Sequence, residues 1–189
     1  MTALVPQFKT LLSKFAETPW LGDLLTGLVG VVVILVDQGT KALVISRFAG
    51  IHQEDVVPVF GNVLTIIYLQ NTGSAFSAFE NSPVLLAVLI FIACSVIGWL
   101  YWSQRMHPHP WRSLAFGLII GGALGNLIDR VRLGYVVDFI HFQLTSIHFN
   151  FAVFNAADSS IDLGIFILIL SMWKSFRSSA SKKQETVHP

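Results

Sequence analysis

The stretch L-L-T-G-L-V-G-V-V-V-I-L-V-D-Q-G-T-K-A-L-V-I, residues 24–45, decides the class of fold. It reaches the length of about 20 apolar residues that a helix needs to cross a bilayer. Its only charged residues, Asp37 and Lys41, are four positions apart and share one helical face, so we expect them to form an ion pair. Because the segment has no nearby small-residue cleavage site, we expect it to stay in the protein rather than be removed as a signal peptide.

The composition extends this interpretation to the whole chain. Hydrophobic residues make up 53%, charged residues only 12%, and the mean hydropathy is +0.66. This balance is typical of an integral membrane protein. Further apolar segments lie at residues 84–102, 112–128 and 156–173. We therefore predict a single-domain, all-α membrane protein with four transmembrane helices.

The basic residues predict the orientation, because cytoplasmic flanks carry an excess of Lys and Arg. Eight of the twelve lie at one end of the predicted helices: Lys9, Lys14, Arg105, Arg112, Lys174, Arg177, Lys182 and Lys183. Both termini are then cytoplasmic. The connections at residues 46–83 and 130–155 lie on the extracytoplasmic side.

Three further segments have distinct patterns. Apolar and basic residues fall on opposite faces of residues 1–20, which predicts an interfacial amphipathic helix. Residues 46–83 contain a Val-, Ile- and Tyr-rich run between Pro, Gly and Asn, which predicts a small β-rich cradle for an extended peptide. The tail at 175–189 is rich in Ser and Lys, so we expect it to be disordered.

Asp138 and Asp158 are the candidates for catalysis, since carboxylates close to hydrocarbon are costly and usually functional. Asp138 lies among apolar residues in V-V-D-F-I, whereas Asp158 lies in F-N-A-A-D-S-S, which is typical of a helix N-terminus. Two carboxyl groups held together share one proton and can act as the acid and base that activate a water molecule. The alternatives are that Asp158 is only an N-cap and that Asp138 is a surface turn carboxylate.

Other polar residues admit structural interpretations. Asp162 is either a third carboxylate of the site or a partner of Lys41 or Arg130. Asp129 and Arg130 are expected to neutralise each other, and Asn126 must find a hydrogen-bond partner within the membrane. Three glycines of the third segment would let another helix approach closely: Gly121, Gly122 and Gly125.

Several other chemistries lack support in the sequence. The six histidines are scattered without metal-ligand spacing, so we expect no metal and no cofactor. The net charge of +1 gives no field that would attract nucleic acid. We expect a monomer that contacts membrane lipids and has no nucleic-acid partner.

Five motifs occur in order along the chain: D-Q-G-T-K (37–41), N-T-G-S-A-F (71–76), G-G-A-L-G-N-L-I-D-R (121–130), V-V-D-F (136–139) and F-N-A-A-D-S (154–159). As a set they resemble the bacterial lipoprotein signal peptidases, or signal peptidase II. The resemblance covers most of the chain, from about residue 23 to 174.

The resemblance implies an aspartic endopeptidase of the bacterial cell (inner) membrane that cuts prolipoproteins just before a diacylglyceryl-modified cysteine. It implies that Asp138 and Asp158 are catalytic. It assigns substrate-binding or supporting roles to Asn71, Gly73, Asn126, Arg130, Asn155 and Ala157. It assigns structural roles to Asp37, Lys41 and Asp129.

Two rival functions remain open at this point. An ion- or proton-coupled carrier would use a relay of aspartates spread through the membrane depth, whereas Asp138 and Asp158 are both predicted near one face. A non-catalytic scaffold would use the polar residues only to hold its helices together.

Overall fold

A computed structural model describes residues 17–48, 56–73, 83–106, 109–147 and 149–185, with the backbone alone described at 83–91, 104 and 174–185. Long helices alternate with a small sheet over this part of the chain. The elements are α1 (Pro19–Phe48), β1 (Val57–Phe60), β2 (Leu64–Asn71), α2 (Pro83–Gln104), α3 (Pro110–Leu133), β3 (Val136–Leu144), β4 (Phe149–Asn150) and α4 (Ala156–Glu185). The predicted interfacial segment at 1–20 lies outside the described residues except for its last four.

Helix α1 buries the two charged residues of its central apolar stretch and exposes many of its apolar residues. Asp37 and Lys41 are buried, while Leu35 and Leu43 are exposed. This is the reverse of a helix in water, and it matches a helix whose outer face contacts lipid. Its 30 residues make it longer than the predicted 24–45. At about 1.5 Å per residue it is long enough to cross the hydrocarbon core.

Helix α3 lies at the centre of the bundle and packs against both α1 and α4. Its glycines permit this, as the sequence predicted. A Cβ at Gly121 would lie 2.8 Å from the carbonyl oxygen of Gly30 on α1, and one at Gly122 would lie 2.5 Å from the carbonyl oxygen of Ala157 on α4. Because any larger side chain would push these backbones apart, glycine sets the distance between helices here.

Helix α3 continues beyond the predicted end at residue 128. It runs to Leu133, where Gly134 adopts φ +82° and donates its N–H to the carbonyl oxygen of Arg130. The predicted span ended at Ile128, just before the charged residues Asp129 and Arg130. That boundary was wrong because Asp129 is neutralised inside the bundle by Lys41 and so does not force the helix to end.

Helix α4 also extends further than predicted. It begins at Ala156, as expected, but continues to Glu185 through much of the tail that we predicted to be disordered. The prediction was therefore wrong for the backbone of residues 175–185. Extending an existing helix requires no new nucleus, so a polar segment rich in Ser and Lys can remain helical.

The sheet is antiparallel, in the strand order β1-β2-β3-β4. The predicted cradle was confined to residues 46–83, but only β1 and β2 come from that connection. The central partner of β2 is β3, which comes from the second connection and was not predicted as a strand. The pairing aligns Asn71 with Val136 and Leu69 with Asp138. The sheet thus brings residues of both connections to one place.

Three helices are long and apolar enough to cross a membrane by length and composition: Pro19–Phe48, Pro110–Leu133 and Ala156–Trp173. Within the described side chains, α2 contributes only the shorter apolar stretch Ile92–Ser103. The fourth crossing therefore stays a prediction. Tyr101 of α2 hydrogen-bonds Asp23 of α1 and packs edge-on against Phe116 of α3.

Candidate active site

Asn155 and Asp158 form the N-terminal cap of α4. The Asn155 side-chain oxygen accepts the backbone N–H of Asp158 at 3.0 Å, and Asp158 Oδ2 accepts the backbone N–H of Asn155 at 3.1 Å. This reciprocal arrangement is a capping box in which Asn155 is the N-cap and Asp158 occupies the third helical position. The alternative in which Asp158 is only an N-cap therefore misplaces the cap by three residues, because the N-cap is Asn155.

Asp138 lies on β3 and is almost fully buried, at 1% exposure. Asn71 at the end of β2 donates its side-chain N–H to Asp138 Oδ2 at 2.7 Å. Asn155 donates its own to Asp138 Oδ1, also at 2.7 Å. Both carboxylate oxygens are thus held by amides, as a buried carboxylate requires. Asp138 is not the surface turn carboxylate of the alternative interpretation.

Asn155 links the two candidate carboxylates directly. Its side-chain amide contacts Asp138, while its backbone N–H contacts Asp158. Asn155 is fully buried, whereas Asp158 is half-buried. The two carboxyl groups therefore lie on either side of one fixed asparagine, and part of Asp158 stays accessible.

Asn126 of α3 supports Asp158 from the other side. It donates Nδ2–H to Asp158 Oδ1 at 2.7 Å, and its oxygen accepts from Lys41 at 3.0 Å and from Asn155 at 3.2 Å. Because a lysine can only donate, Lys41 fixes which end of the Asn126 amide faces Asp158. The prediction that Asn126 needs a partner is confirmed.

We call Asp37, Lys41 and Asp129 the charged cluster. Lys41 lies 2.8 Å from Asp37 Oδ2 and 2.8 Å from Asp129 Oδ2, and all three side chains are buried. The predicted Asp37–Lys41 ion pair is confirmed. Asp129 pairs with Lys41 rather than with Arg130, so that prediction was wrong.

The charged cluster also binds the backbone immediately before each candidate carboxylate. Asp37 Oδ1 accepts the N–H of Ala157, and Asp129 Oδ2 accepts the N–H of Val137, each at 3.1 Å. These are the residues immediately before Asp158 and Asp138. A displacement of either cluster carboxylate is therefore transmitted to one member of the pair.

Burial raises the pKa of Asp138 to about 6. The hydrogen bond from Asn71 opposes this shift, the negative charge of nearby Asp158 adds to it, and Asn155 and Lys41 oppose it again. The carboxyl group of Asp138 can therefore hold a proton near neutral pH. Two interacting carboxyl groups of this kind titrate as a unit.

Most of the remaining predicted residues also lie at this site. Gly73 adopts φ +100° and donates its N–H to the Asn71 side chain at 2.9 Å, which orients that amide. Half-buried Arg130 donates to the carbonyl oxygen of Asn126. Asp162 is exposed on the surface of α4 and its carboxylate joins none of the described contacts of Lys41 or Arg130.

The sequence interpretation missed Gln38, which contacts both Asp37 and Asp129. The signal was present, because an amide side chain within an apolar membrane helix needs polar partners. Gln38 stands inside the D-Q-G-T-K motif, but only the two charged ends of that motif were used.

Comparison with known proteins agrees with this geometry. The family model described as signal peptidase (SPase) II matches residues 29–174, a range that includes every residue of the site described above. This chain belongs to the signal peptidase II family.

Two lipoprotein signal peptidases share about a third of the aligned residues with this chain. A lipoprotein signal peptidase of Streptococcus pyogenes serotype M5 (strain Manfredo) is 36% identical over 146 residues, covering 76% of this chain and 90% of the relative. One from Streptococcus agalactiae serotype Ia (strain A909) is 35% identical over 148 residues, covering 78% and 90%.

Solved structures show the same fold. A bacterial membrane enzyme determined by the in meso method at 1.9 Å resolution matches with a TM-score of 0.66 and 28% identity, over 78% of this chain and 91% of the other. A second, at 2.3 Å, matches with a TM-score of 0.63 and 29% identity. Membership in a signal peptidase family identifies a protease that processes lipoproteins, and it does not favour the carrier function.

Proposed function

We propose that Asp138 and Asp158 are the catalytic pair of an aspartic endopeptidase. The observation that carries the proposal is Asn155, which binds both carboxylates at once and so holds them beside each other. Asn71 and Asn126 each add a second amide to one member of the pair. The charged cluster fixes the backbone before each of them.

Asp138 acts as the general acid and Asp158 acts as the general base. Asp138, whose pKa is about 6, carries the shared proton and donates it to the carbonyl oxygen of the scissile peptide bond. Asp158 lies at the N-terminus of α4, where backbone N–H groups and the helix dipole stabilise its negative charge. It takes a proton from the water that attacks the carbonyl carbon.

Attack of this water forms a C–O bond and gives a gem-diol. The C–N bond then breaks as the amide nitrogen receives the proton that Asp158 took from water. One hydroxyl of the gem-diol returns a proton to Asp138, which restores the pair. The products are a new carboxyl terminus on the signal peptide and a free amine on the following residue.

The substrate is a prolipoprotein whose cysteine carries a diacylglyceryl group, and the cut falls just before that cysteine. The acyl chains lie against the exposed apolar faces of the helices, which include Leu35 and Leu43 of α1. Each buried CH₂ group contributes about 0.8 kcal/mol, so the lipid supplies much of the binding free energy. The β1–β2–β3 sheet lies next to Asp138 and holds the peptide in an extended form.

The chain crosses the membrane four times as a monomer, with α2 as the fourth crossing. The catalytic pair lies at the end of the bundle where α3 ends and α4 begins. Arg105 and Arg112 lie at the opposite end, where α2 ends and α3 begins. An excess of basic residues identifies that end as cytoplasmic, so the catalytic pair faces the extracytoplasmic side.

The test uses purified full-length protein in detergent with a synthetic precursor peptide that carries a diacylglyceryl-cysteine. Mass spectrometry locates the cut, and the same peptide without lipid is the control. We expect cleavage immediately before the modified cysteine and a much lower kcat/KM without the lipid. Equal rates on both peptides would refute the assigned substrate, and a cut elsewhere would refute the assigned bond.

A further inference from the structure

Gln38 joins α1 to α3 at the edge of the charged cluster. Its Nε2 lies 2.9 Å from Asp129 Oδ1, 3.1 Å from Asp37 Oδ2 and 3.2 Å from the carbonyl oxygen of Gly125. A side-chain amide has two N–H donors, so these three acceptors share them. Gln38 thus donates to the two carboxylates that hold the backbone before the catalytic pair.

Arg132 fixes the orientation of the Gln38 amide. Its guanidinium nitrogen Nη1 lies 3.3 Å from Gln38 Oε1. An arginine can only donate, so the oxygen of Gln38 faces Arg132 and the two N–H groups face the charged cluster. The direction of donation toward Asp37 and Asp129 is therefore determined by the chain itself.

The charged cluster needs such a neutral donor. It contains two carboxylates and one ammonium group, so one negative charge is left without a matching cation within the cluster. Lys41 contacts Oδ2 of both aspartates, while Gln38 donates to Oδ1 of Asp129. Burying a carboxylate is costly unless its oxygens accept hydrogen bonds or pair with a cation. Gln38 supplies such hydrogen bonds without adding a second positive charge.

We propose that Gln38 is a positioning residue for the catalytic pair. It holds Asp37 and Asp129 at a fixed separation, and through them it holds the backbone of Ala157 and Val137 in place. The proposal rests on the proposed function of Asp138 and Asp158. It assigns Gln38 no contact with substrate, so its loss should change the rate of the chemical step and leave binding intact.

Two substitutions separate positioning from general packing. Gln38→Met keeps the length of the side chain and removes both donors to the charged cluster. Gln38→Glu keeps the shape; when ionised it adds a third carboxylate, but when protonated it regains one donor. The activity of Gln38→Glu relative to wild type should therefore rise as the pH is lowered, while that of Gln38→Met should stay low at every pH.

The comparison takes account of the charged groups around Gln38. Among the described residues, Gln38 contacts Asp37 from α1 and Asp129 and Arg132 from α3, and Lys41 pairs with both carboxylates. All four groups are present in both variants, so a different pH dependence of Gln38→Met and Gln38→Glu reports on the side chain at position 38.

The experiment measures kcat and KM of folded, purified enzyme on the diacylglyceryl precursor across the acidic half of the pH profile. We expect kcat of Gln38→Met to fall by about tenfold or more, with KM within about twofold of wild type. Thr40→Val is the matched control, because within the described part of the chain the Thr40 hydroxyl bonds only carbonyl groups of its own helix. It should retain wild-type kcat.

A wild-type kcat in Gln38→Met overturns the proposal, as does a parallel pH dependence of the two Gln38 variants. If Gln38→Met does not fold, the pH dependence of Gln38→Glu relative to wild type decides alone. Asp138→Asn and Asp158→Asn in the same assay keep the two proposals apart. If both retain activity, the catalytic pair is wrong; if both are inactive while Gln38→Met is normal, only the role of Gln38 is wrong.

Discussion

Asn155 shows at the scale of one residue how a cap becomes part of a site. Its side-chain oxygen caps α4, its side-chain N–H groups contact Asp138, and its backbone N–H contacts Asp158. One residue thereby joins a helix terminus to a strand. Substitution by an aspartate would keep the cap and remove the donor to Asp138, which is why an amide is needed here.

The raised pKa of Asp138 predicts that the stability of the folded protein depends on pH. The folded protein holds this proton with a pKa of about 6, whereas an unfolded aspartate loses it near its ordinary value. The native state therefore binds more protons between these two values, and stability falls as the pH rises through this window. Asp138→Asn removes the titrating group and with it this dependence.

Between about pH 4 and pH 7, we expect the free energy of unfolding of wild type to fall by about 2 kcal/mol relative to that of Asp138→Asn. SDS-induced unfolding in mixed micelles at several pH values measures the difference. Asp162→Asn serves as the control, because Asp162 is exposed on α4. A constant difference between wild type and Asp138→Asn across this range would contradict the raised pKa.

At the scale of elements, the close packing of α3 on α4 positions Asp158. A Cβ at Gly122 would meet the carbonyl oxygen of Ala157 at 2.5 Å, so Gly122→Ala must push the start of α4 away from α3. We expect stability to fall by about 1–3 kcal/mol and kcat to fall by about tenfold or more. Thermal unfolding and precursor cleavage measure the two effects.

Gly27→Ala is the matched control for this prediction. Gly27 is also a helical glycine, but a Cβ there meets nothing within 4 Å. Alanine favours the helix over glycine, so this variant should be at least as stable as wild type. If Gly122→Ala behaved like Gly27→Ala, the contact between α3 and α4 would not set the geometry of the site.

The sequence predicted closely where α3 and α4 begin but not where they end. Helix α4 starts at Ala156 as expected because Asn155 and Asp158 are strong local capping signals. The end of α3 was missed because its charges are neutralised by α1, which no local pattern reveals. Strand β3 was missed although V-V-D-F-I-H-F is rich in β-branched and aromatic residues, since the apolar run was interpreted only as surroundings for Asp138.

The site itself was predictable in part. Asp138 and Asp158 stood out as carboxylates in an apolar chain, and their convergence required only that the second connection fold back. The partner of Asp129 could not be predicted, because Lys41 and Arg130 were both available and the adjacent arginine was the simpler choice. Gln38 went unnoticed because a neutral side chain gives a weaker signal than a charge.

At the scale of the whole molecule, the basic residues predict which side of the membrane holds the site. Asn62 is exposed in the turn between β1 and β2, on the sheet that contains Asp138 of the proposed catalytic pair. In a Cys94→Ser background, we expect Asn62→Cys to react with an impermeant maleimide in intact spheroplasts. Lys182→Cys in the tail should react only after the membrane is opened, and the opposite labelling would invert the topology.

The most direct test of the catalytic pair is the cleavage rate of the diacylglyceryl precursor by Asp138→Asn, Asp158→Asn and Asp162→Asn. Asparagine keeps the shape of each side chain, and Asp162 is the matched control because it lies one turn after Asp158 on the same helix and is exposed. We predict that kcat falls by about a thousandfold or more in the first two variants and stays at the wild-type level in the third. Near-normal cleavage by either Asp138→Asn or Asp158→Asn, in protein that still folds, would contradict the account.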